Sequence, residues 1–101
     1  MTPEAFRKLV LSFPRARERE VLGTREYRVR DRAFATWGWP QDGWITVKVP
    51  ASEQEAFIRR YAACQSIPGR PGVMRLYLAD VEENDIRPVV DAAWKLAVAL
   101  D

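Results

Sequence analysis

The 101-residue chain contains no histidine. That absence removes Ser-His and Cys-His nucleophile pairs, the histidine-bearing zinc sites and the usual proton shuttle near neutral pH. The one cysteine, Cys64, excludes an internal disulfide and a thiolate metal cluster. No apolar run approaches the roughly 18 residues that a membrane helix requires. The opening MTPEAFRKLVLSF has a charged start, an interrupted apolar run and no small-residue cleavage site, so no signal peptide is expected. The expectation is a cytoplasmic, non-enzymatic protein with no cofactor, no metal and no membrane association. A hydrophobic share of 48% is too high for disorder, and the length suits one domain over residues 1–101 with its own core.

What is present is arginine. Thirteen of the sixteen cations are Arg, the side chain suited to bidentate phosphate contact. Overall charge is only +2, but residues 7–32 hold nine basic residues against four acidic. Residues 80–101 reverse the balance, with six acidic against two basic. An Arg-rich first third is able to present a basic patch to phosphate. A mixed-charge surface, with arginines paired to Glu18, Glu20, Glu26 and Asp31, is the plainer explanation of the same residues.

Thr2-Pro3-Glu4 is a helix start, with Thr2 as cap and Pro3 in the first turn. Phe6, Leu9, Val10 and Phe13 then form one apolar stripe, and Pro14 stops the helix. Alternation follows. Residues 17–23 read as a short edge strand, 26–30 and 32–38 as two strands joined at Arg30-Asp31, and 44–49 as a fourth. Ser52 with Glu55 reads as a capping box opening a second helix to about Cys64, with Phe57, Ile58 and Tyr61 as its buried stripe. Residues 65–72 read as a loop and 73–78 as a strand. A last helix starting between Glu82 and Asp85 carries Pro88 near its first turn and an apolar face from Ile86 to Leu100. The order predicts a two-layer α+β fold, with a mainly antiparallel sheet of about five strands and three helices on one face.

A two-residue loop at Arg30-Asp31 would pair Val29 with Arg32 and Tyr27 with Phe34. One face then collects Tyr27, Val29, Phe34, Ile45, Val47, Met74, Leu76 and Leu78, which suits burial under the helices. The other collects Arg28, Ala33, Ala35, Trp37, Trp44, Thr46 and Lys48, with Arg75 and Tyr77 as neighbours. On this register Trp37 faces Trp44 on an uncovered side among cations, a surface fit for stacking or for docking a second copy. A slip of one residue exchanges the faces.

Other constellations are thin. Asp80, Glu82, Glu83 and Asp85 lack the ligand spacing of a calcium loop and read as partners of a helix dipole. Residues 69–72 lack the Gly-Lys-Ser/Thr of a phosphate loop. Cys64 has no activating base nearby in sequence and reads as a small core residue.

In order along the chain, Thr2-Pro3-Glu4-Ala5-Phe6 with Leu9 and Phe13-Pro14 resembles the opening of the MmcQ/YjbR family. Gly23 with Tyr27-Arg28-Val29, Arg32-Ala33-Phe34-Ala35-Thr36 and Thr46-Val47-Lys48-Val49 continue the likeness. Arg70-Pro71-Gly72-Val73 and Ala93-Trp94-Lys95-Leu96-Ala97 complete it. The resemblance implies a compact α+β fold of the CyaY-like and secretion-chaperone-like kind and DNA binding through a double-wing arrangement. It places Arg28, Arg32 and Lys48 at the family's basic strand positions. The chain departs from the pattern at Arg25, at Val73-Met74 and at the Arg30-Asp31 turn.

The leading functional expectation is weak, salt-sensitive DNA binding through Arg17, Arg19, Arg25, Arg28, Arg30, Arg32 and Lys48, with Trp37 and Trp44 against sugar or unstacked bases. Arg15 adds a phosphate contact. The alternatives are a protein-interaction domain or homodimer built on the two tryptophans, and a small-molecule site in the loop 65–72.

Overall fold

The computed structural model describes residues 1–99. Helix α1 (Pro3–Leu11) starts as the sequence implies: the Thr2 hydroxyl accepts the Ala5 N–H at 3.1 Å, and Phe6, Leu9 and Val10 are buried. Strands β1 (Arg17–Val21), β2 (Thr24–Val29), β3 (Arg32–Trp37) and β4 (Trp44–Lys48) follow. Helix α2 (Ala51–Arg60), strands β5 (Gln65–Ser66) and β6 (Val73–Tyr77), a 3-10 turn (Leu78–Asp80) and helix α3 (Glu83–Ala99) complete the chain. The antiparallel sheet has the order β1-β2-β3-β4-β6-β5, with the helices on one side. The two-layer α+β expectation holds. The sixth strand arises because Gln65 and Ser66, expected in a loop, pair with Arg75 and Met74.

Turn chemistry sets the meander. Arg30 and Asp31 have φ of 51° and 62°, and Leu22 and Gly23 have 48° and 84°. Two successive positive φ values are what a type I′ hairpin needs to match the twist of its strands. All eight sheet residues expected beneath the helices are buried, joined by Ile86, Val89, Val90, Ala93 and Ala97 of α3. Phe6 meets Tyr27 edge to face, with centroids 5.8 Å apart.

Four local expectations fail. Pairing begins as expected at Val29↔Arg32 and Arg28↔Ala33, but Tyr27 lies opposite Ala35, not Phe34. Phe34 is an extra residue, a β-bulge, and both it and Ala35 are buried. Beyond the bulge every side chain of β3 changes face, so Ala35 and Trp37 turn to the helix side and Trp37 lies opposite Ile45. In α2 the capping box does not form, because Pro50 takes the cap position and leaves Ser52 inside the helix. That helix ends at Arg60, and Phe57, Ile58 and Tyr61 are only half-buried. Pro88 is the sixth residue of α3, beyond its first turn. Leu100 lies outside the described residues.

Cys64 is buried, and its thiol is pushed up to about 11 by burial and then by the charge of Asp85. At neutral pH it is a protonated core residue.

A polar cluster ties α1 to the sheet. On the helix side of β1, the Glu18 carboxylate accepts Arg7 Nε at 3.1 and 3.2 Å, Tyr27 OH at 3.2 Å and Arg25 Nη1 at 3.3 Å. Burial raises the Glu18 pKa, but the bonds and charges of Arg7, Tyr27 and Arg25 outweigh it and leave the carboxyl below its usual range. Burial, followed by the Glu18 charge and hydrogen bond, lifts Tyr27 to about 12. The unfolded tyrosine ionises near pH 10. Below that pH the contribution to stability is complete, and it is lost as pH rises through the folded value. Urea unfolding at pH 9 and near 12 is expected to show a fall on the order of 2 kcal/mol that Tyr27→Phe lacks. An equal alkaline decline in that variant contradicts the assignment.

Candidate functional site

The uncovered sheet face follows from the register. Trp44, Thr46 and Lys48 alternate with the buried Ile45 and Val47, so they point away from the helices. Arg19, Glu26, Thr36, Thr46, Arg75 and Gln65 form one row across all six strands. Arg17, Arg28 and Ala33 form a second row, Lys48 and Val73 continue along that end, and Trp44 pairs with Tyr77 at the other end.

Arg70 joins the face from its loop, because with Trp39 it walls a groove of about 380 Å³. Glu26, Thr36, Thr46 and Lys48 also line this groove. The face therefore holds six cations (Arg17, Arg19, Arg28, Lys48, Arg70 and Arg75) against one acid, Glu26. Glu26 is held by Arg28 at 3.0 Å. Among the described residues no carboxylate pairs with Arg17, Arg19 or Lys48. At the β1 edge the surface continues into a depression of about 570 Å³ in which Arg15, Arg17, Arg19, Arg28 and Arg30 outnumber Glu18 and Asp31.

Aromatic rings interleave with these cations. The Arg75 guanidinium lies 5.3 Å from the centroid of the Trp44 ring, and that of Arg70 lies 5.0 Å from the Trp39 ring. Tyr77, 42% exposed, packs against Trp44 at 5.4 Å. Arg75 is further oriented by the Gln65 side chain, which accepts its Nε–H at 3.1 Å. Thr46 on the groove floor is only 7% exposed, and no hydrogen bond reaches its hydroxyl among the described residues.

The residues singled out in the sequence divide into two sets. Arg17, Arg19, Arg28, Trp44 and Lys48 share the open face. Arg25 and Trp37 lie on the helix side, where both line a cleft with Arg7 and Tyr27 at the start of α1. The Trp37 Nε1–H is buried there without a partner among the described residues. Arg30 donates to the Val98 carbonyl at 3.4 Å, and Arg32 lines a cleft with Ala93, Leu96 and Ala97 of α3. The proposed Trp37–Trp44 pair is thus absent, and the bulge at Phe34 is the reason. Trp39 and Arg70 escaped the sequence reading because both sit in loops, where strand periodicity assigns no face.

No curated protein matches the chain. A crystal structure of a protein from Pseudomonas syringae, solved as a structural-genomics target, superimposes with a TM-score of 0.71. The match covers 96% of this chain and 99% of that one, at 12% identity, and it supports the fold. The family model described as YjbR matches residues 11–96, which hold the whole sheet, α2 and all of α3 but its end. With that span matched, the chain belongs to the YjbR family.

Proposed function

We propose that the protein is a non-enzymatic nucleic-acid-binding domain, with DNA the expected partner, and that the uncovered sheet face is its binding surface. The concentration of positive charge carries this reading. Six cations share that face with a single acid, whereas the three helices balance six acids with six cations. A mainly positive surface attracts a polyanion, and Arg17, Arg19 and Lys48, which pair with no carboxylate among the described residues, meet phosphate without first breaking an ion pair. The chemistry of the chain points away from catalysis, since it has no histidine and its one thiol is buried and protonated.

Fluorescence anisotropy with a labelled DNA oligonucleotide, as a single strand and as a duplex, tests the proposal. Binding is expected to weaken as salt rises from about 50 to 200 mM, with a log–log slope of roughly −0.7 to −0.9 per phosphate neutralised. Replacing Arg17, Arg19 and Lys48 together by alanine is expected to flatten that slope by about 2 to 3. Absence of saturable binding to either form at the lower salt overturns the proposal.

A further inference from the structure

Resting on the nucleic-acid reading, we infer that the uncovered face is built for unpaired nucleotides, whose bases stack on Trp44 and Trp39, and that it prefers single strands to duplex. The position of the rings is decisive. Trp44 lies on β4, between β3 and β6, three strands in from the β1 edge. A duplex offers base edges only at the bottom of its grooves, and the major groove, about 12 Å wide, admits a helix or a two-stranded ribbon. Six strands at their ordinary spacing extend about 24 Å across, so a face of this width cannot enter a groove to bring Trp44, at the start of the fourth strand across, against a paired base. A splayed strand presents the faces of its bases to just such a surface.

Two further observations support this. Each tryptophan already carries a planar cation on its ring, Arg75 at 5.3 Å and Arg70 at 5.0 Å. A base takes that place over the ring, and the displaced guanidinium is left beside it to meet the adjoining phosphate. On the groove floor that Trp39 walls, the hydroxyl of Thr46 has no partner among the described residues and is available to a base edge.

The test compares three labelled ligands of about 12 nucleotides at low salt: an oligothymidine, an abasic strand with the same number of phosphates, and a duplex. The oligothymidine is expected to bind at least tenfold more tightly than either of the others and to quench tryptophan fluorescence. Trp44→Leu is expected to weaken oligothymidine binding roughly 5- to 150-fold and to leave the abasic strand unaffected. Because the abasic comparison uses the unaltered protein, it stands even where that variant folds poorly. Equal affinity for the thymidine and abasic strands, or a duplex bound as tightly, overturns the single-strand inference while leaving nucleic-acid binding in place. Failure to bind any of the three overturns both.

Discussion

Gly72→Ala is expected to destabilise the protein by about 3 kcal/mol or more, a fall in Tm of roughly 12–24 °C. Two costs combine. Gly72 has a φ of +84°, where a side chain costs about 1–2 kcal/mol. A Cβ there would also lie 2.7 Å from the Val49 carbonyl oxygen, a backbone atom that cannot swing aside. Relief requires moving one of two paired segments: the Gly72 carbonyl accepts the Val49 N–H at 2.7 Å, and Gln54 accepts the Gly72 N–H at 2.6 Å. Gly69 provides the control. Its φ is +78°, but a Cβ there meets nothing within 4 Å, so Gly69→Ala is expected to cost only the backbone share, about 1–2 kcal/mol. Thermal unfolding of the two variants side by side checks the difference, and equal losses contradict the steric account. The comparison bears on the groove as well, since Gly72 anchors the loop that sets Arg70 against Trp39.

Much of this arrangement was legible in the sequence, wherever a strong pattern had one physical solution. The Thr2-Pro3 start, the α1 stripe, the alternation in β4 and β6 and the apolar face of α3 each admit one way to bury their large side chains. The order of these elements carries the two-layer fold, the resemblance to the MmcQ/YjbR family implies the same architecture, and the family match agrees with that resemblance. The failures fall where pattern is weak. Ala33-Phe34-Ala35 gives no sign of a bulge, because alanine is tolerated on either face and one phenylalanine fits the core in either register. The regular alternation therefore puts Ala35 and Trp37 on the wrong side and Arg28 on the right one, whereas Arg25 lies on the helix side through the alternation of β2 itself, with Tyr27 and Val29. The groove wall of Trp39 and Arg70 depends on tertiary approach of two loops, which local periodicity does not encode. Pro50, by taking the cap, hid the true start of α2 behind a plausible capping box.

The bulge also yields the second large effect. Phe34 is 1% exposed and sits over the Ala93–Ala97 segment of α3, so Phe34→Ala is expected to cost about 3–5 kcal/mol through the cavity it leaves. That substitution keeps the chain length, and with it the bulge. Deleting Phe34 removes the same ring and the extra residue together. The ladder then closes without a slip: Ala35 follows Ala33 directly, the two still opposite Tyr27 and Arg28, so Thr36 stays on the open face and Trp37 on the helix side. The deletion therefore loses the ring without a change of register, and it is expected to cost about as much as the substitution in urea unfolding. Trp37 fluorescence checks the register, because an unslipped strand keeps that indole half-buried. If the deletion costs no more than Phe34→Ala, the extra residue serves to bring its ring into the core. If it costs clearly more, the bend that the bulge gives β3 is itself needed to seat the strand beneath α3.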